Sequence, residues 1–397
     1  MSSKRPTVLV TIGTRPELIK LAPVIHRLRR DEDIDSRVVF TAQHRGLLDQ
    51  MAAFFHIEPD VDLDVMRAAQ GLSALTGRLL RGLDAVLHEY EPDLVIGQGD
   101  TTTVLSTALA CYHRRVRFAH LEAGLRTDNL YSPFPEEGNR RLVGQLAAMH
   151  FAPTRIAKDR LISEGVNPAT IHLTGNTVVD TLLETASREN LDLPIEADTT
   201  GPLILLTVHR REHFGDALHG ILRAVRILAT LHPKATVLFP CHPNPAVRQV
   251  AETMLAGTDN IRIVDPLDYG QLIAVMRRSD MVMTDSGGIQ EEAPSLGVPL
   301  LVLRDSTERP EGVEAGVAQL VGTNPSRILD VACQVLAKGF KRPAVLPAPN
   351  PYGDGKAAQR VVRHVRDALG LPTFSKSALS NANAPSNPQT ELEFRAA

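Results

Sequence analysis

Met281-Val-Met-Thr-Asp-Ser-Gly-Gly-Ile-Gln-Glu-Glu292 joins a short apolar run to a Gly-Gly turn and then to a helical segment. The run Met281–Thr284 predicts a buried parallel strand. Ser286, Gly287 and Gly288 predict a tight turn, and residues from Ile289 onward predict a helix. Two glycines let backbone N–H groups approach an anion without Cβ interference. A helix N-terminus adds unpaired donors and a partial positive charge. The stretch reads as a phosphate seat, with carboxylates one helical turn further on where a sugar hydroxyl could be held. Together these features suggest a site for a nucleotide-sugar diphosphate. A plain strand–helix connection would look the same, so the rest of the chain has to decide.

Working outward, the same strand–helix rhythm recurs on both sides. Thr7–Ile12, Arg37–Thr41, Leu94–Gly97, Phe118–Leu121 and Met149–Phe151 are apolar runs separated by helical patterns. Leu203–Val208, Thr236–Phe239, Ile261–Val264 and Leu300–Leu303 repeat the rhythm in the second half. Alternation of this kind predicts an α/β fold with parallel sheets. Leu18, Leu21, Ile25 and Leu28 mark the first helix, which Pro23 should kink or interrupt. At 397 residues the chain exceeds one ordinary core. We place one domain at residues 1–175 and a second at 176–372, its strands opening at Leu203 and its last helix free to pack back on the first. Residues 373–397, rich in Ser, Asn, Ala and Pro, read as a disordered tail.

Composition narrows the function classes. The net charge is −3 and charged residues are 22%. No basic stripe with interleaved aromatics points to nucleic acid, and no apolar run approaches membrane-spanning length. Cys111, Cys241 and Cys333 are odd in number and widely spaced, so a reducing, cytoplasmic setting is expected rather than a disulfide framework. The start, Met1–Pro6, lacks the apolar core of a signal peptide.

The polar residues gather at predicted strand ends, where doubly wound folds bind ligands. Gly13-Thr-Arg-Pro-Glu17 puts Arg15 where a guanidinium could grip phosphate or close a helix-start ion pair. Asp100, after Gly99, could cap the helix over Thr101–Thr103 or serve as a general base. Glu122 ends another strand. Glu136 and Glu137 follow a loop fixed by Pro133 and Pro135. They could complement a helix dipole or present a proton donor or acceptor. His209, Arg210 and Arg211 at a strand end favour anion contact, because such charges make a poor core. His242 follows Cys241 and adds an imidazole. A metal held by Cys241, His209 and His242 would lack the close ligand pair of a zinc motif. Arg309 is a further cationic candidate.

In order along the chain, Gly13-Thr-Arg-Pro-Glu17, Thr41-Ala-Gln-His-Arg45, Gly99-Asp-Thr-Thr-Thr103, Glu122-Ala-Gly-Leu-Arg126, Ser132-Pro-Phe-Pro-Glu-Glu137, Gly175-Asn-Thr177, His209-Arg-Arg-Glu212, Thr284–Pro294, Glu308-Arg-Pro-Glu311 and Asn350-Pro-Tyr-Gly-Asp-Gly355 resemble the motifs of the non-hydrolysing UDP-N-acetylglucosamine 2-epimerases. The resemblance spans about residues 7–368. It implies a GT-B fold of two Rossmann-like domains around a central cleft, with no NAD or other cofactor and no metal. It also implies interconversion of UDP-GlcNAc and UDP-ManNAc through loss of the C2 proton and of UDP, giving 2-acetamidoglucal. By motif, Asp100, Glu122 and Glu136 resemble the acid–base carboxylates and His209 the residue assisting UDP. Arg15, Ser286, Gly287, Gly288 and Glu292 resemble the UDP contacts. Gln43, Gln70, Arg210 and His242 match the site where bacterial members bind a second UDP-GlcNAc as activator, and a homodimer is implied. The match departs at Gln98, where many members have His, and around Cys241–Pro243. Rival readings are an epimerase of a modified sugar such as UDP-2,3-diacetamido-glucuronate, a hydrolysing epimerase, a GT-B glycosyltransferase and a non-catalytic nucleotide-sugar sensor.

Overall fold

The computed structural model describes residues 5–42, 45–67, 70–127, 129–197, 200–210, 213–242, 244–338 and 350–372. The expected disordered tail, residues 373–397, lies outside the described residues. Seven strands build the first sheet: β1 Thr7–Ile12, β2 Asp35–Phe40, β3 Val61–Asp62, β4 Leu94–Gln98, β5 Arg117–Leu121, β6 Met149–Ala152 and β7 Ile171–Leu173. Six build the second: β8 Leu203–Thr207, β9 Thr236–Pro240, β10 Ile261–Val264, β11 Met281–Thr284, β12 Leu300–Val302 and β13 Gln319–Leu320. The central strands are continuous apolar runs because helices cover both faces; all residues of β1, β4, β8 and β11 are buried.

The sheet orders are β3-β2-β1-β4-β5-β6-β7 and β10-β9-β8-β11-β12-β13. Neighbouring strands run parallel throughout. Strand order therefore reverses between β1 and β4 in one sheet and between β8 and β11 in the other. These are the switch points at which open α/β sheets leave a crevice beyond the strand C-termini. Both sheets are Rossmann-like, and together they form the two-domain GT-B architecture. β3, β7 and β13 are edge strands of two or three residues, too short for periodicity to show.

The chain passes between the halves twice, at residues 174–177 and 350–356. Asn176 N–H donates to Tyr352 O at 2.6 Å, joining the two passages. The final helix, Ala357–Ala368, returns to the first half. There Arg366 grips Asp31 at 2.6 and 2.7 Å, with both side chains buried. Pro23 does not interrupt the first helix, which runs unbroken from Arg15 to Arg29. The carbonyl that proline leaves without its usual partner is that of Ile19. Thr181 Oγ1 donates to it at 2.6 Å, so a neighbouring helix makes up the lost bond.

Candidate functional site

At the first switch point, Gly13 is packed so closely that a Cβ would lie 2.2 Å from Thr103 Oγ1. Its N–H and that of Thr14 donate to Glu17 Oε2 at 2.5 and 3.1 Å, and Thr101 Oγ1 donates to Glu17 Oε1 at 2.5 Å. Burial nonetheless pushes the Glu17 carboxyl up to about 7. Across the switch point, Asp100 does not cap the following helix. Thr101 does, its hydroxyl accepting from Val104 N. The Asp100 carboxylate is drawn instead to the Arg140 guanidinium, with Nε at 2.8 Å and Nη2 at 2.7 Å.

Glu122 follows β5 with φ of 64°, a left-handed conformation that non-glycine residues rarely adopt and that recurs at functional sites. Its carboxylate accepts from Lys20 Nζ, from Gln98 Nε2 and, at 3.1 Å, from Asn176 Nδ2. Lys20 also pairs with Glu291 at 3.3 Å. Burial disfavours the Lys20 ammonium, but attraction to Glu122 and Glu291 prevails and holds its pKa above the ordinary value. Glu136 opens the helix Glu136–Leu146 and is half-buried, whereas Glu137 is fully buried against Arg140 and Arg141. Asp100, Glu122 and Glu136 thus meet around one cavity of about 430 Å³, which Glu17, Lys20, Gln98, Arg140 and Arg309 also line.

The second switch point is organised by Asp285. Its buried carboxylate accepts from the N–H groups of His209 and Arg210, at 3.1 and 3.0 Å, and lies 3.0 Å from His213 Nδ1. Burial works against its charge, but these donors win and hold its pKa below the usual value. His209 Nδ1 sits 3.3 Å from the same carboxylate, with the imidazole 45% exposed. Ser286 caps the short helix Gly287–Glu292 by position, without a side-chain cap bond. A Cβ on Gly287 would come within 2.6 Å of the Arg309 guanidinium, so any side chain there would have to push that arginine off Glu291 and Glu308. A Cβ on Gly288 would meet only Ser286 Oγ, at 4.0 Å, so the backbone there lies open to an approaching group. Glu292 is buried, accepts from Tyr269 Oη at 3.1 Å, and is pushed by burial up to about 7. Arg15, exposed on the first domain, attracts it across the crevice.

Other expectations fare differently. Arg309 is bound on both sides, to Glu291 at 2.7 Å and Glu308 at 2.8 Å. Arg210 Nε donates to Asp285 O and its Nη2 to Glu308. His242 is exposed after β9, its Nδ1 accepting from Asn244 N at 3.1 Å. Gln70 lies 3.8 Å from Met66 Sδ and does not line the cavity. Gln43, Arg211 and Pro243 lie outside the described residues. Among the described residues no group of three or more His, Cys, Asp or Glu side chains is placed to hold a metal ion. Sequence reasoning assigned no role to Glu17, Lys20, Arg140, Asn176 or Asp285, and read Glu291 only as one of the carboxylates that could hold a sugar hydroxyl. Lys20 looks like a surface charge on its helix, and only its long-range contacts to Glu122 and Glu291 reveal otherwise. Glu17, Asn176, Asp285 and Glu291 stood within the quoted motifs, which was the one available signal for them.

Two doubly wound sheets, with polar side chains gathered at both switch points, define a two-domain α/β enzyme of GT-B architecture. The family model described as UDP-N-acetylglucosamine 2-epimerase matches residues 26–366. The chain is 46% identical over 369 residues to the UDP-N-acetylglucosamine 2-epimerase of Yersinia pestis, covering 91% of this chain and 98% of that one. It superimposes on the UDP-GlcNAc 2-epimerase of Neisseria meningitidis bound to UDP-GlcNAc with a TM-score of 0.82 and 39% identity, over 91% of this chain and 100% of the other. The MnaA–UDP complex of S. aureus gives 0.83 and 40%, over 93% and 100%. The chain belongs to the UDP-N-acetylglucosamine 2-epimerase family, a family of isomerases.

Proposed function

We propose that this enzyme interconverts UDP-GlcNAc and UDP-ManNAc by elimination and re-addition of UDP. A carboxylate takes the C2 proton. The C1–O bond breaks with its electron pair passing to UDP, leaving 2-acetamidoglucal. Protonation of C2 from the opposite face and return of UDP to C1 complete the inversion. Proton and leaving group both come back, so the cycle balances without a redox cofactor. The observation that carries the proposal is the convergence of Asp100, Glu122 and Glu136 on one cavity at the first switch point, with Arg309 of the second half on its wall. A weakly acidic C–H needs such a placed base together with a good leaving group. In this reading Arg15, His209 and the Ser286–Gly288 helix start stabilise the charge growing on UDP, and Glu292 holds its ribose. The assigned activator contacts are Gln43, Gln70, Arg210 and His242.

The cavity's charges favour a neutral acetamido sugar over a uronate. Of its lining cations, Lys20 is shared by Glu122 and Glu291, Arg140 by Asp100 and Glu137, and Arg309 by Glu291 and Glu308. A glycosyltransferase would use the same diphosphate seat but has no evident use for three carboxylates. The proposal extends to a division at 175/176, a homodimer and a cytoplasmic location; among the described residues no helix is long and apolar enough to cross a membrane. Asp100→Asn, Glu122→Gln and Glu136→Gln should each lower kcat by about 10²-fold or more, while calorimetry shows UDP still binding. Near-wild-type rates in all three variants would refute the assignment.

A further inference from the structure

We propose that Asn176 is a positioning residue, orienting the Glu122 carboxylate and tying it to the relative placement of the two sheets. This rests on Glu122 acting in acid–base chemistry, as proposed above. Asn176 lies on the first passage between the halves and is 4% exposed. Its polar groups are all engaged. The backbone N–H donates to Tyr352 O on the return passage, and Oδ1 accepts from Val178 N at 3.1 Å. The side-chain amide carries two N–H donors. Nδ2 donates to Glu122 Oε1 and to Glu291 Oε2, each at 3.1 Å. The first carboxylate hangs from the end of β5 in one sheet. The second belongs to the helix after β11 in the other. A single amide therefore bridges both domains from the point where the chain crosses between them.

The neighbouring passages leave it little room. Gly175 has φ of 87°, and a Cβ there would lie 3.4 Å from Gly353 Cα. Lys20 is shared between the same two carboxylates. The amide binds the same two oxygens as the ammonium, while Gln98 holds the other oxygen of Glu122; without the amide, Glu122 Oε1 would keep only the flexible lysine and lose its one donor from the passage between the halves. Misplacing a reacting group by about 1 Å can cost on the order of 10²-fold in rate.

A helix-cap role alone would be a different matter, and the variants separate the two. Asn176→Ser and Asn176→Asp keep an oxygen that can cap the helix Thr177–Ala186 but remove the NH₂ donors. Asn176→Ala removes both. Turnover of UDP-GlcNAc by the full chain is measured over a range of substrate concentrations to separate kcat from KM, with UDP affinity by calorimetry and thermal midpoints alongside. We expect Asn176→Ser to lower kcat roughly tenfold or more while leaving KM, UDP affinity and the thermal midpoint close to wild type, the first two within about twofold. Asn176→Asp should do the same, should Asn176→Ser fail to fold. Active wild type together with Ser and Asp variants of unchanged kcat would overturn this assignment alone, leaving Asn176 a helix cap. A wild-type enzyme without turnover would overturn the proposed function and this assignment with it.

Discussion

Burial pushes Glu292 up to about 7, against an ordinary 4.5, and leaves its side chain with Tyr269 as a hydrogen-bond donor. The folded pKa lies above the unfolded one, so the folded chain binds the extra proton between about pH 4.5 and 7. The stability this confers is fully present below about pH 4.5 and is lost as pH rises through about 7. Glu292→Gln cannot ionise. It should therefore gain thermal midpoint on wild type at pH 8 and gain little or nothing at pH 5. An equal offset at both values would contradict the burial argument. Glu17, raised to about 7 by the same cause, acts in the same direction. A cleft that keeps two such carboxyls buried gives up stability near neutrality, as sites under functional constraint do.

At the scale of elements, the first helix shows how a local rule is overridden. Pro23 predicts a break, yet the helix continues because Thr181 reaches the orphaned Ile19 carbonyl from the helix Thr177–Ala186. Thr181→Val keeps the shape and removes the donor. It should cost about 1–3 kcal/mol, read as a lower urea midpoint at unchanged slope; no change would mean that Ile19 O is satisfied in another way. Apolar runs and Gly-punctuated turns made the buried strands legible, because burial on two faces leaves an unbroken hydrophobic signature. Edge strands such as Val61–Asp62 leave none. Asp100 shows a second limit. An Asp before a helix reads as a cap, but a buried Arg140 some forty positions away offers a stronger partner, and Thr101 takes the cap. Motif residues marked several of the polar groups gathered at the two switch points. The chain Gln98–Glu122–Lys20–Glu291–Arg309 that holds it together spans both halves, and such pairing is invisible to spacing.

At the scale of the whole molecule, the two switch points are joined by that alternating chain of charges and by two hydrogen-bonded passages. Breaking the alignment of the halves would therefore disturb Glu122 directly. Residues assigned to the activator come from both halves, so a ligand touching them would favour one relative placement, and it can do so only by binding that placement better. Progress curves started from pure UDP-ManNAc should show a lag that a little UDP-GlcNAc removes, and Arg210→Ala should weaken that response. A prompt linear rate indifferent to UDP-GlcNAc would remove the activator role. The central claim is that C2 loses its proton while UDP departs. Incubating the enzyme with UDP-GlcNAc in deuterated water and following C2 by NMR tests it most directly. We predict UDP-ManNAc fully deuterated at C2, with deuterium entering recovered UDP-GlcNAc as well; UDP-ManNAc that retains the original C2 hydrogen would contradict it.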